Sequence, residues 1–296
     1  MSATLVNEVS DQAQKFWAPI FKDELLESSL LPSLVNKDYQ GEIKQGGDTA
    51  YVSMISRPTA ERKTIGAGSD TFSSQKLTTT RVGIVADQRI TASFELEDLI
   101  DLQTQIGNPD GKSKIKQVLV EAAQIELNNY LYSLVAPSAS APDHILSGVA
   151  TFDATQLLSV RQLAAQAKWM KDGGWWTLLD PSYMNDILAA QTLTSTDYTG
   201  SDTPVIGGQV SNTRFGFNIL EDNSAGILQL SPASAGMEVG LAFHPDFLYL
   251  VMGDVQMKVS DLHSNHQHGY LVSVDMWVGA KLGIQGNVKH IQIYNT

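Results

Sequence analysis

Two strand-like runs separated by a long polar stretch constrain this chain more than any other feature. Tyr51-Val52-Ser53-Met54-Ile55-Ser56 follows the turn residues Gly46-Gly47-Asp48 and stops at Arg57-Pro58, which predicts a strand. From Thr80 to Phe94, Val82, Ile84 and Ala86 and then Ile90, Ala92 and Phe94 alternate at period two, which predicts a strand running back. Between them lie about 24 residues, Arg57 to Thr80, rich in Thr, Ser and Gly, with Ile65, Phe72 and Leu77 the large apolar side chains. So little apolar surface cannot form a core of its own, and hairpin loops usually hold only about 2–5 residues. The expectation is a protruding hairpin that something else must cover.

A second uncovered feature precedes it. Phe16, Trp17, Ile20, Phe21, Leu25 and Leu26 recur at helix-like spacing before Pro32, in a segment too short to bury those aromatics alone. The rest of the chain or a neighbouring copy has to cover them. Charge sharpens the pattern: residues 57–90 carry Arg57, Arg62, Lys63, Lys76, Arg81 and Arg89 against Glu61, Asp70 and Asp87, a net of +3. Residues 91–110 carry Glu95, Glu97, Asp98, Asp101 and Asp110 with no Lys or Arg, a net of −5. Either both are solvated faces, or they form a complementary pair within one chain or between two copies.

The clearest helix follows Asn108-Pro109-Asp110-Gly111. Ser113 is a candidate N-cap, and Ile115, Val118, Leu119, Ala122 and Ile125 make an apolar stripe that Leu127, Leu131 and Leu134 widen. Ending at Val135 before Pro137, it reads as a spine of about 23 residues against which a sheet packs. After a Pro/Ser/Ala-rich linker, Asp153 can cap a helix from Ala154 to about Met170. Trp175–Leu179 reads as a buried strand, and Asp180-Pro181 opens another helix. Strands are expected again at Phe217–Leu220, Gln256–Val259, Tyr270–Gly283 and Val288–Tyr294.

The whole chain, 296 residues with 20 Lys+Arg against 32 Asp+Glu, carries a net charge of −12, the opposite of what sequence-independent nucleic-acid binding requires. Its 43% hydrophobic content supports a sizeable core. With no cysteine there is no disulfide, thiolate metal site or cysteine nucleophile. Met1-Ser2-Ala3-Thr4-Leu5-Val6-Asn7-Glu8 has no basic region leading into a long apolar one, and the apolar window Ile115–Val135 is broken by charged and amide residues. The expectation is a chain without an export signal, made in the cytosol, that does not cross a membrane.

Catalytic patterns are missing from the sequence. It has no Gly-x-Ser-x-Gly, no phosphate-binding loop and no His-Glu-x-x-His, and Gly66-Ala67-Gly68 lacks the third glycine of a dinucleotide fingerprint. His263, His266 and His268 beside Asp261 could converge on a divalent ion, but Ser264–Gly269 reads as a polar turn between two strands, so no metal is assigned. Trp169, Trp175 and Trp176 are expected in the core rather than as a stacking platform. No enzyme, no cofactor and no metal is the resulting expectation.

The order of parts, more than any single motif, resembles the major capsid proteins of tailed bacteriophages, the Hong Kong 97 type of fold. The resemblance rests on Gly47-Asp48-Thr49-Ala50-Tyr51-Val52, the loop Arg57–Thr80 and the helix Ser113–Val135. It rests also on Thr177-Leu178-Leu179-Asp180-Pro181-Ser182-Tyr183, Gly207-Gly208-Gln209-Val210 with Gly216-Phe217-Asn218-Ile219, and Gly240-Leu241-Ala242-Phe243-His244. It implies an α+β fold with an N-terminal arm (1–45), an extended loop hairpin with flanking strands (46–94), a peripheral domain with a spine helix (95–135), an axial α/β subdomain (136–254) and C-terminal strands returning to the peripheral domain (255–296).

The resemblance further implies a virion shell subunit, assembled in the host bacterial cytoplasm into hexamers and pentamers around double-stranded DNA that it holds without sequence-specific binding. Separate scaffolding and portal proteins are implied partners. Arg57, Arg62, Lys63 and Lys76 would register the hairpin on a neighbour, Glu95, Glu97, Asp98 and Asp101 are candidate acceptors, and Phe16, Trp17 and Phe21 are candidate apolar anchors. A tail tube or decoration protein, or a metal-dependent enzyme using the histidines, are the alternatives.

Overall fold

A computed structural model describes residues 29–39, 47–65, 74–97, 109–137, 144–170, 174–194, 213–232, 238–253, 255–264 and 267–295. The expected hairpin is present: β1 (Thr49–Ile55) pairs antiparallel with β2 (Thr79–Val85), Tyr51 opposite Gly83 and Ile55 opposite Thr79. The returning strand is interrupted. Gly47 N donates to Ala86 O (2.8 Å) and Ala86 N to Asp48 O (3.1 Å), closing the hairpin, and β3 (Gln88–Glu97) then joins a different sheet. Alternation could not reveal this, because the side-chain period is two on both sides of the break.

The spine helix also differs in detail. After an opening turn at Leu31–Leu34 (α1), the long helix α2 runs Pro109–Val135, 27 residues or about 40 Å, starting at the proline rather than at Ser113. Proline suits a first helical turn because its missing N–H has no partner to lose there. Its buried row is Leu119, Ala123, Leu127, Leu131 and Val135, four apart, while Val118 and Ala122 of the expected stripe face solvent.

The strands β4 (His144–Ser147), β5 (Trp175–Leu179), β6 (Phe217–Glu221), β7 (Val239–Phe243) and β11 (His290–Tyr294) form one sheet in the order β4-β11-β7-β5-β6. Alternation sorts its side chains. Val239, Leu241, Phe243 and Leu178 pack in a core with α2 residues Ala123, Leu127, Leu131 and Val135. Leu179, Ala242, Ile291 and Ile293 pack in a second core with the helices α3 (Ala154–Gln166) and α4 (Pro181–Ala189). Gln292, buried on the α2 side of β11, donates from Nε2 to Val135 O at 2.5 Å. A short turn of helix, α5 (Gln191–Thr194), follows α4. Trp169 and Trp175 lie in the second core, edge to face at 5.7 Å, as expected of buried aromatics.

Helix α3 stops at Gln166, four residues before the expected Met170. Trp169 N donates to Ala164 O and Lys168 N to Ala165 O, both at 3.1 Å, and Lys168 is left-handed with φ 59°. These are the two bonds of a Schellman ending, with lysine where glycine is usual.

The remaining sheet holds β3, β10 (Gln267–Leu282) and β8 (Leu248–Met252) in that order, with β9 (Gln256–Ser264) also on β10. Gly279 of β10 runs against the hairpin base: a Cβ there would collide with Val85 O and stand 2.9 Å from Ala86 Cα. By contact, the chain divides into two compact units, one including Ala92–Ala122 and Met257–Val274, the other Glu27–Thr91, Ala123–Gln256 and Asp275–Thr296. In the second unit, the described part of the leading segment is tied to its own chain. Leu31 and Val35 are buried, Asn36 N donates to Pro245 O (3.2 Å), and Leu250 N donates to Asn36 O (2.9 Å). Among the described residues no helix is long and apolar enough to cross a membrane.

Candidate intersubunit surfaces

The hairpin has one satisfied face and one bare face. Ala50, Val52, Ile84 and Ala86 pack with Tyr249, Val251 and Ile284 in a small third core. On the other face stand Tyr51 (54% exposed), Ser53, Ile55 (61% exposed), Arg81 and Val85. Arg81 lies over the Tyr51 ring at 4.8 Å, a cation–π contact across the strand pair. A two-stranded ribbon has little independent stability in water, so this one depends on the third core beneath it, while its outer face stays exposed among the described residues.

Beyond the strands the two arms of the loop stay together through side chains. Ser56 hydrogen-bonds Thr78 through both its backbone N–H and its hydroxyl. Thr59 N donates to Gln75 Oε1 (2.9 Å) while Gln75 Nε2 donates back to Thr59 O (3.2 Å). This reciprocal amide pair acts as a rung 16 residues apart in sequence. Along these arms Ile65 is 98% exposed and Leu77 72%.

The sequence-predicted contact residues divide accordingly. Arg57, Arg62, Lys63 and Lys76 are on the described loop arms and face solvent, with Lys63 Nζ 3.9 Å from Glu61 Oε2. Glu95 is exposed on β3 and Glu97 ends that strand. Phe16, Trp17, Phe21, Asp98 and Asp101 lie outside the described residues. Hairpin cation Arg89 is already used: it bonds Asp275 at 2.7 Å and sits over Trp277 at 5.6 Å.

Sequence reasoning missed a cleft of about 720 Å³ where the loop end of β1, the end of α3 and the 3₁₀ turn Gly286–Val288 meet. Arg57, Lys168 and Lys289 contribute its positive charge, from three separate stretches of chain. No sequence signal joins these positions. The nearest clue, a lysine just past a helix end, is ordinary, since cations are favoured there.

As for metal, no group of His, Asp or Glu among the described residues could hold an ion. His263 falls in β9 and His268 in β10, and His266 lies outside the described residues.

No protein-family model and no curated protein matches this sequence. Solved structures do match. One from Mycobacterium phage Che8 superposes with a TM-score of 0.74 at 18% identity, over 94% of this chain and 96% of that one. The capsid structure of cyanophage P-SCSP1u gives 0.69 at 13% identity, over 99% and 98%. The capsid asymmetric unit of cyanophage Pam1 gives 0.69 at 13% identity, over 99% and 98%. At these identities the shared property is the fold, and it is the α+β fold of phage major capsid proteins, the Hong Kong 97 type.

Proposed function

We propose that this chain is the structural subunit of a phage head, assembling with identical copies into hexamers and pentamers that enclose double-stranded DNA. One observation carries the reading: a fold matched over nearly its full length by phage capsid structures leaves a two-stranded hairpin with one face bare. Its work is structural and virion-located, calling on no catalysis, cofactor or metal. The division of labour follows the resemblance: residues 1–45 as an arm along neighbours, 46–94 as the loop laid over the adjacent subunit, 95–135 and 255–296 as the peripheral part, and 136–254 as the axial part.

Scaffolding and portal proteins are separate partners in this reading. The net charge of −12 keeps the inner wall from gripping the genome. Electron microscopy of the full chain, expressed alone and with a scaffolding protein, tests it. Closed shells, uniform when the scaffolding protein is present, are expected. Tubes would point to a tail component, and a monomer at high concentration under both conditions would overturn the reading.

A further inference from the structure

We propose that the cleft at the loop end of β1 is a seat for the acidic, apolar segment 95–101 of a second copy of this chain; the inference rests on the shell reading above. In a chain of net charge −12, Arg57, Lys168 and Lys289 converge on one cleft of about 720 Å³, and none of its lining residues is acidic. Lys289 Nζ is 3.7 Å from Asp246 Oδ2, whereas among the described residues Arg57 and Lys168 form no ion pair. Between the cations the wall is apolar: Ile55, Met170 (60% exposed) and Val288.

The cleft is built rather than incidental. Trp169 Nε1 donates to Val288 O (2.7 Å) and His244 N to Lys289 O (3.0 Å), locking two walls together. Lys168 and Gln285, both lining the cleft, hold φ of 59° and 61°, a left-handed backbone that glycine adopts at lower cost. The Schellman ending fixes where the Lys168 side chain leaves the backbone, at the rim of the cleft.

The occupant must bring carboxylates and aliphatic side chains together. Glu95-Leu96-Glu97-Asp98-Leu99-Ile100-Asp101 does so: four acids and three branched aliphatics in seven residues, with no cation. Nucleic acid would satisfy the charge and waste the Ile55, Met170 and Val288 wall. The aromatic run of the arm at residues 16–21, which carries no acid and is flanked by Lys15 and Lys22, would fill the apolar wall and leave the cations unanswered. Because all subunits are identical, a head-to-tail contact of this kind repeats around every ring.

The absence of cysteine makes a direct test available. Met170→Cys and Leu99→Cys are placed in separate copies, co-expressed with wild-type scaffolding protein, oxidised as assembled particles and run without reductant. A dimer band roughly ten-fold stronger than in particles carrying either cysteine alone is expected, because a disulfide forms only when Cα atoms come within about 7 Å. Lys168→Glu should remove most of that band, and Asp98→Lys in the same background should restore it. Intact particles without the mixed cross-link overturn the seat alone. So does a link found only within one chain bearing both cysteines, or an equal link from Met170→Cys to Phe16→Cys. A wild-type chain that forms no particles overturns the shell reading, and the seat with it.

Discussion

Asp153 and Asp180 start helices by the same chemistry in two settings. Asp153 Oδ1 accepts from Thr155 N (2.8 Å) and Gln156 N (3.2 Å) at a half-exposed site. Replacing it with alanine leaves those donors to water, and Asp153→Ala is expected to lower stability by about 1 kcal/mol, read as a shifted urea midpoint at unchanged slope. Asp180 accepts from Ser182 N and Tyr183 N, yet burial outweighs those bonds and raises its carboxyl above the usual range. Buried phenols show the same cause more strongly. Burial, then the Asp222 carboxylate that its hydroxyl meets at 2.5 Å, holds Tyr132 well above its ordinary value. Burial likewise raises Tyr183, and lifts Tyr249 to about 12 with help from Asp246. A phenol with a raised folded-state pKa favours the protonated, folded form. Its contribution is therefore complete below the free value of about 10 and declines as pH rises towards 12. Alkaline titration should show these tyrosines ionising together with loss of tertiary structure. Smooth ionisation of all nine near the free value, with the fold intact, would contradict it.

Among the elements, the hairpin is held unevenly along its length. Its inner face is anchored through Ala50, Val52 and Ile84, but beyond Ile55 and Thr79 the loop arms are held by the Ser56–Thr78 bonds and the Thr59–Gln75 amide pair. Such a region opens locally at far lower cost than the core. Gln75→Ala is expected to speed proteolysis within 57–78 of the unassembled chain severalfold while leaving the thermal midpoint unchanged; equal cleavage rates would show that the rung does not hold the arms. The hairpin was legible in the sequence because alternation and a polar gap are local signals. The break at Ala86–Asp87 was not, since it depends on Gly47 and Asp48 capturing Ala86 from another stretch. The early end of α3 was equally hidden, because Lys168 takes a backbone position that composition would give to glycine.

For the whole molecule, the proposed shell would draw its strength from repetition: modest contacts become firm when each subunit is gripped by several neighbours at once. Deleting residues 58–79 is therefore expected to abolish particles while leaving a chain that still unfolds cooperatively, measured by microscopy and thermal melting on the same preparation. Particles of wild-type yield would remove the hairpin from the assembly mechanism. The segment-by-segment plan of hairpin, spine helix, capped α3 and α4, and late strands could be read from residues alone, because periodicity, caps and turn chemistry act over a few positions. The long polar projection was legible too, since its low apolar content is a local property of residues 57–80. Burial on α2 could not be assigned: its row at Ala123, Leu127, Leu131 and Val135 exists because a sheet lies on that side. Nor could the seat of β11 between β4 and β7, or the cleft that gathers Arg57, Lys168 and Lys289. Those arise from contacts between residues far apart in the chain, where the free energy depends on what lies opposite and local pattern carries no information about it.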